Sequence, residues 1–263
     1  DFMIFGEVWK NAMKMGREYV SSGKGMHSVM NYYFVDALIR YFKYSESSKL
    51  LSCINEIFND YPNDTVLALM NFTSTHDISR LIELLGCDEF DPYGEWSWNL
   101  PSSKDRAWEE SHTLTAEQYK RAKQILKPYI FSLIYFPGIV SIFYGDEVGA
   151  KGIGTLKNRC PYPWKIRDKD LLKFFRKMGR IRKEETFLRT AETKVVEVTD
   201  EHFAFERYDE NNSILVIVSR VNYETQITVP EEFKNAYIHA KIGNCTSTKL
   251  SPYGAVALKR DGT

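Results

Sequence analysis

The sequence lacks a surplus of either charge: 35 basic and 35 acidic residues leave a formal net charge of zero. Without excess cations there is no long-range field to draw a polyanion, so no nucleic acid partner is expected. Cysteine is scarce. Cys53, Cys87, Cys160 and Cys245 stand far apart with no CxxC pair, which excludes a zinc knuckle and fits free thiols in a reducing compartment better than a disulfide framework. Long apolar runs are missing as well: none approaches the roughly 18 to 20 residues of a bilayer span, and no membrane is expected. There is no phosphate-cradling glycine loop and no Ser-His-Asp arrangement with its elbow. No signal peptide is visible, but residue 1 is not Met. The expectation is a cytoplasmic protein, with secretion left open because a leader could precede Asp1.

What is present bounds the fold. A length of 263 residues at 43% hydrophobic content allows one large domain or a domain and a half. Aromatic residues reach 14%; most belong to a core, while sugar-binding clefts also use aromatic faces. Met3 to Val8 reads as a buried parallel strand. After a polar, Gly-bearing stretch ending near Gly25, Ser28 to Tyr44 and Ser45 to Phe58 read as two amphipathic helices. Thr65 to Phe72 is the next strand, and Ile78 to Leu85 the helix after it. Cys87 to Leu114 turns polar and irregular around Trp96, Trp98 and Trp108, as an ordered lid or a sugar-contacting insertion would. Thr115 caps a helix running to about Phe136 with Pro128 inside it. Gly138 to Tyr144 is another buried strand, and Asp168 to Lys183 a basic helix. From about Thr193 the pattern becomes short alternating runs separated by turn residues, as in an antiparallel sandwich.

Three motifs carry the chemistry: Phe5-Gly6-Glu7-Val8-Trp9, Asn71-Phe72-Thr73-Ser74-Thr75-His76-Asp77 and Phe143-Tyr144-Gly145-Asp146-Glu147. The first two place an ionisable group where an apolar strand hands over to a loop, which is where parallel barrels keep their catalytic groups. Burial at the end of a strand, with other carboxylates nearby, would raise the pKa of Glu7 toward a working pH.

In order and spacing these motifs resemble the second half of the catalytic domain of the α-amylase family, glycoside hydrolase family 13, and within it the neopullulanase, cyclomaltodextrinase and amylopullulanase branch. The resemblance implies an α/β fold: the C-terminal half of a (β/α)8 TIM barrel, from strand five on, at residues 1–187, then a C-terminal β-sandwich at residues 188–263. It implies a retaining hydrolase of α-1,4 or α-1,6 glucosidic bonds in starch-derived oligosaccharides, pullulan or cyclodextrins. The family nucleophile, an Asp, would lie upstream of residue 1, so the chain alone is expected to be inactive and to pair with the missing half or with a second copy. A non-catalytic barrel of the same fold, acting as a binding or scaffold subunit, is the alternative reading.

Carried over residue by residue, Glu7 is the acid/base and Asp77 the carboxylate that holds the sugar in its distorted, cation-like state, with His76 adding a hydrogen bond. Thr75 stands where relatives have Asn or Ser before the His-Asp pair, and His27 where they commonly have Asp. Trp9, Arg80 and Arg159 are further substrate-binding candidates. Asn31 and Tyr32 read either as the floor of the cleft or as a helix start. Asp146 and Glu147 are expected to be structural, and Trp164 to be packed. No cofactor and no metal site is implied; calcium occurs in many relatives, at sites largely outside this part of the fold.

Overall fold

Four short strands pair in parallel in the order in which the chain makes them: β1 (Phe5–Val8), β2 (Ser28–Asn31), β3 (Met70–Phe72) and β4 (Ile139–Ser141). The computed structural model describes residues 2–15, 19–20 and 25–261; the polar stretch ahead of Gly25 falls largely outside them. Parallel pairing needs long crossovers. Between β2 and β3 these are α1 (Tyr32–Tyr44), α2 (Ser47–Asp60) and α3 (Asn63–Ala68), and between β3 and β4 they are α4 (Leu81–Gly86), α5 (Arg106–Ser111) and α6 (Ala116–Tyr135). After β4 come α7 (Gly154–Lys157) and α8 (Lys169–Glu184). Glu7 registers with Met30, Met30 with Met70 and Met70 with Ile139, so the loops that follow the four strands leave from one end of the sheet.

Two sequence expectations change here. Ser28 to Tyr44 is not one helix but a strand running straight into one. Buried Val29 pairs with Gly6, and Asn31 ends the strand by capping α1, its side-chain oxygen accepting from the Phe34 amide at 3.3 Å. Thr65 to Phe72 is likewise half helix. Extended Pro62 opens α3, Asp64 lies in its first turn, and only Met70–Phe72 joins the sheet. The start of α6 is as expected and adds a full capping box: Thr115 Oγ1 accepts from the Gln118 amide at 3.1 Å, and Gln118 Oε1 accepts from the Thr115 amide at 2.9 Å.

The irregular segment 87–114 is ordered because buried groups hold it. Fully buried Arg40 pairs with Asp36 at 2.9 Å and donates to the carbonyls of Pro92 and Gly94. Asp36 in turn accepts from the Ser97 amide at 2.6 Å. At the far end of the segment, buried Glu83 on α4 faces the His112 ring at 3.4 Å. Burial raises Glu83 to about 7, with Lys151, the Gly152 amide and Lys157 acting against it, and burial together with Lys157 lowers His112.

The native state therefore keeps the Glu83 proton between the ordinary value of 4.5 and about 7, where the unfolded chain has lost it. The contribution of Glu83 to stability falls as pH rises through that window, while the depressed His112 works in the opposite sense below its ordinary 6.5. Glu83→Gln is expected to gain about 2 to 3 kcal/mol over wild type between about pH 5 and pH 8, at about 1.4 kcal/mol per pH unit. Urea denaturation at stepped pH reads this, and a difference that does not change with pH refutes it.

The second part of the chain is antiparallel. Strands β5 (Glu192–Val198), β6 (His202–Tyr208), β7 (Asn212–Ser219), β8 (Thr225–Gln226), β9 (Tyr237–Ile242), β10 (Lys249–Leu250) and β11 (Ala255–Asp261) form a five-stranded sheet ordered β5-β6-β7-β11-β9 and a separate β10-β8 pair. The period-two alternation gives the large sheet two apolar faces. Phe203, Phe205, Val216 and Val218 pack toward the helices, while Ala204, Leu215, Ile217 and Leu258 pack on Ile227, Phe233 and Leu250.

The joint to the helices is aromatic and cationic. Phe203 meets Tyr41 at 5.3 Å and Phe205 meets Phe136 at 5.5 Å. Arg207 donates to the carbonyls of Tyr135, Leu188, Ala191 and Glu192. Arg182 on α8 donates to those of Ile134, Phe136 and Gly138. Neither guanidinium has a carboxylate partner among the described residues, and burial lowers Arg207 to about 9 and Arg182 to about 10.

Candidate functional site

The loops leaving β1 and β3 bring the motif residues into one connected path. Glu7 is exposed near the end of β1, and the indole N–H of Trp9 donates to its Oε1 at 2.8 Å. The Trp9 ring lies parallel to that of Tyr32, with centroids 4.4 Å apart. The Tyr32 hydroxyl shares a 3.0 Å hydrogen bond with Thr75 Oγ1, which also accepts from the Asp77 amide at 3.1 Å. Burial pushes the Tyr32 phenol up to about 12; Thr75 acts against that shift, and the charges of Asp77 and Glu7 both add to it. Two carboxylates from different strands thus act on one phenol.

Asp77 is partly open, with 28% of its side chain accessible, and it is flanked by two cation-capable groups. His76 Nε2 stands 3.2 Å from its Oδ2 and Arg159 Nη2 3.7 Å from its Oδ1. Arg159 Nε also donates to the His76 carbonyl at 3.1 Å, which ties the loop after β4 to the loop after β3. Trp98 closes the aromatic wall, 5.7 Å from Trp9 and 6.1 Å from Tyr32, with Trp96 stacked on it at 5.4 Å. Glu7, Trp9, Tyr32, His76, Asp77 and Arg159 are therefore brought together.

Four expectations differ. Glu7 is not buried: β1 is an outer strand of the sheet, and this chain covers only one of its sides. Asn31 is no cleft floor, because its side chain is spent on the cap of α1 and on donating to Asn71 Oδ1 at 2.9 Å, and Asn71 continues to the Pro137 carbonyl at 2.8 Å. That chain of amides ties the ends of β2, β3 and β4. Arg80 lies away from solvent altogether, fully buried over the Phe143 ring at 4.2 Å, donating to the Tyr144 carbonyl and standing 3.4 Å from Asp146 Oδ1. Trp164 is 70% exposed, in contact with Tyr162 and Arg167.

Asp146 is the hub beneath the site. Its Oδ2 accepts from Thr73 Oγ1 at 2.6 Å and Ser74 Oγ at 2.5 Å, and burial raises its pKa against the pull of Arg80 and both hydroxyls. Glu147 Oε2 accepts from the Gly145 amide at 2.8 Å. Sequence reasoning passed over Thr73, Ser74 and Asn158. Fully buried Asn158 donates to the carbonyls of Thr75 and Ile78, shaping the turn that presents Asp77. The signal for the first two was the run of small polar residues directly after an apolar strand. His27, the departure from the family pattern, accepts at Nδ1 from the Ile4 amide at 3.0 Å. Among the described residues no three His, Cys, Asp or Glu side chains are placed to hold a metal, and no helix is long and apolar enough to cross a membrane.

A parallel α/β layer carrying carboxylates on its strand-end loops is thus joined to an antiparallel β-domain. No family model matches the chain. A cyclomaltodextrinase of Geobacillus thermopakistaniensis is 23% identical over 97% of this chain and 39% of its own length. An amylopullulanase of Thermoanaerobacter thermohydrosulfuricus is 28% identical over 70% of this chain and 12% of its own. The structure of the cyclic α-maltosyl-(1→6)-maltose hydrolase of Arthrobacter globiformis, in complex with that sugar, superposes on 98% of this chain and 49% of its own at a TM-score of 0.73 and 18% identity. The chain is similar to enzymes of the α-amylase family, glycoside hydrolase family 13. It spans less than half the length of these relatives.

Proposed function

We propose that the protein carrying this chain is a retaining α-glucan hydrolase acting on α-1,4 or α-1,6 glucosidic bonds of starch-derived oligosaccharides, pullulan or cyclodextrins. The observation that carries this is the continuous path from Glu7 through Trp9, Tyr32 and Thr75 to Asp77. It sets two carboxyl groups from separate strands beside an aromatic wall, one for the acid/base role and one to hold the sugar, while the attacking carboxylate that retention also needs would come from outside this chain.

In this reading residues 1–187 are the second half of a (β/α)8 barrel and residues 188–263 its β-domain. Apolar Ile4, Ile139 and Ile142 are exposed on or beside the two outer strands, where a parallel sheet normally buries both faces, which supports a further set of strands packing there. That segment would also supply the nucleophilic Asp, so the chain by itself is inactive and pairs with the missing half or with a second copy.

Glu7 donates its proton to the leaving glycosidic oxygen while the upstream Asp attacks the anomeric carbon; Glu7 then takes a proton from water as that water displaces the enzyme from the sugar. Asp77, oriented by His76 and Arg159, accepts hydrogen bonds from ring hydroxyls and favours the positive charge that develops on the sugar. Trp9, backed by the fully buried Tyr32 ring, offers a rigid face to the sugar and also fixes the Glu7 carboxyl. No step needs a cofactor.

Proton NMR of the first product formed by the full-length protein on maltotetraose or pullulan tests the reading. Release of the α-anomer ahead of mutarotation is expected. Initial release of the β-anomer overturns retention, and oligosaccharide binding without any cleavage favours the non-catalytic scaffold.

A further inference from the structure

One flank of α8, with the turn that leads into it, gathers Arg167, Lys169, Lys173, Arg176, Lys177 and Arg180 around a groove of about 630 Å³. The chain as a whole carries no net charge, so this is a local concentration of cations. The nearby carboxylates are engaged elsewhere. Asp168 and Asp170 at the start of the helix turn toward Lys123 and Lys127 on α6, and Glu185 at its end toward His239 and Lys259 of the β-domain. Among the described residues none of the six cations makes an ion pair.

The groove lies where the rest of the chain leaves α8 bare. Leu171, Phe175 and Met178 are buried beneath the helix, and Phe174 turns to α6, where Lys127 Nζ stands 5.9 Å from its ring. On the opposite flank Lys169, Leu172, Arg176 and Gly179 follow at steps of three, four and three residues, the spacing of a seam between helices. Half-buried Leu172 lines the groove. Gly179 is exposed, and a Cβ added there would meet nothing within 4 Å. Such a mid-helix glycine weakens the helix relative to alanine, and what it offers instead is close approach of another backbone. From Lys169 to Arg180 the flank runs about 16 Å, roughly three helical turns.

We infer that this flank of α8 seats an acidic amphipathic helix supplied by the half of the barrel that precedes residue 1. The inference rests on the proposed function only for the existence of that half, and adds to it the chemistry by which the two halves meet. This chain covers 39% of the cyclomaltodextrinase and 49% of the cyclic maltosyl-maltose hydrolase, so these relatives carry ample further chain. Helix α8 follows the outer strand β4, beside which Ile139 and Ile142 are exposed, and a parallel neighbour of β4 would bring its own crossover helix alongside α8. An apolar stripe with acidic margins complements Leu172 and Gly179 set among cations, as opposite charges at the margins select helix partners. A polyanion without an apolar face would use the cations and leave Leu172 and Gly179 without a role.

The full-length protein provides the test. A carbodiimide, which joins a lysine amine to a carboxylate in contact with it, is expected to link Lys169, Lys173 or Lys177 to an Asp or Glu upstream of residue 1, as read by peptide mass spectrometry of the monomer. Gly179→Ala raises Tm where a helix face is open; here it is expected to lower Tm by about 2 °C or more. Arg176→Glu with Arg180→Glu would relieve repulsion on an open flank; here it is expected to lower Tm by at least about 2 °C, more at low salt than at high salt. Links only within residues 1–263, to a second copy or to another protein, no link at all, or a Tm unchanged or raised by either replacement overturns the interface and leaves the function standing. Neither readout needs turnover, so the scaffold outcome of the product analysis removes the hydrolase and leaves the interface.

Discussion

Glu7→Gln in the full-length protein should lower the turnover of α-glucans by about 10²- to 10⁴-fold with KM changed only a few-fold, the span that positioned acid/base groups contribute. Gln keeps the volume of Glu and an oxygen that can accept from Trp9 Nε1, so the aromatic wall stays in place while the transferable proton is gone. The loss should be smallest for aryl glucosides with good leaving groups, since these depart without protonation, and the alkaline limb of the pH–rate profile should disappear. Steady-state kinetics on both substrate types would show this. Turnover within a few-fold of wild type, or equal loss on both, removes Glu7 from the acid/base role.

Arg80→Met is expected to produce the largest loss of stability, about 3 to 5 kcal/mol, because it leaves Asp146 buried without its cation. Arg80 and Asp146 are both inaccessible to solvent, and among the described residues the Asp146 carboxylate has only Thr73 and Ser74 besides. The double variant Arg80→Met, Asp146→Asn should recover part of the loss, since no charge then remains buried. Urea denaturation of the full-length protein would measure both, and a single-variant loss below about 1 kcal/mol would refute the assignment. Here the site and the fold meet. The loops after β3 and β4 are clamped to each other through this pair, and Asp77 is presented from that clamp.

Much of this was legible in the sequence. The antiparallel strands announce themselves through alternation bounded by turn residues, as in His202–Tyr208 and Tyr237–Ile242. Strand β2 was hidden because four residues of a buried parallel strand run into α1 with no Gly or Pro between them, so the helical period of the longer element absorbed the shorter. The split of Thr65 to Phe72 between α3 and β3 was missed for the same reason: a short apolar run does not reveal its period. At the site, Glu7 and Asp77 are proposed from their motifs, whereas the side chains of Asn31 and Arg80 turn elsewhere, because a motif gives position along the chain but not the direction of a side chain. The role of Asn31 as a cap and that of Arg80 as a buried counter-ion depend on Asn71 and Asp146, 40 and 66 residues away. The exposure of Glu7 could not be anticipated either, since it depends on what covers β1.

The two buried arginines at the joint decide how this architecture can be cut and rejoined. Arg207 belongs to the β-domain, yet one of the carbonyls it satisfies ends α6 and another lies at Leu188. Arg182, from the last helix, closes the same helix end from the other side. A graft of residues 188–263 onto a foreign barrel would keep the bonds from Arg207 to Leu188, Ala191 and Glu192 but lose the one to Tyr135, leaving a buried guanidinium N–H and a buried helix-end carbonyl each without its partner. The transferable cassette is therefore longer than the β-strands suggest: it starts with the last turn of α6 and includes α8.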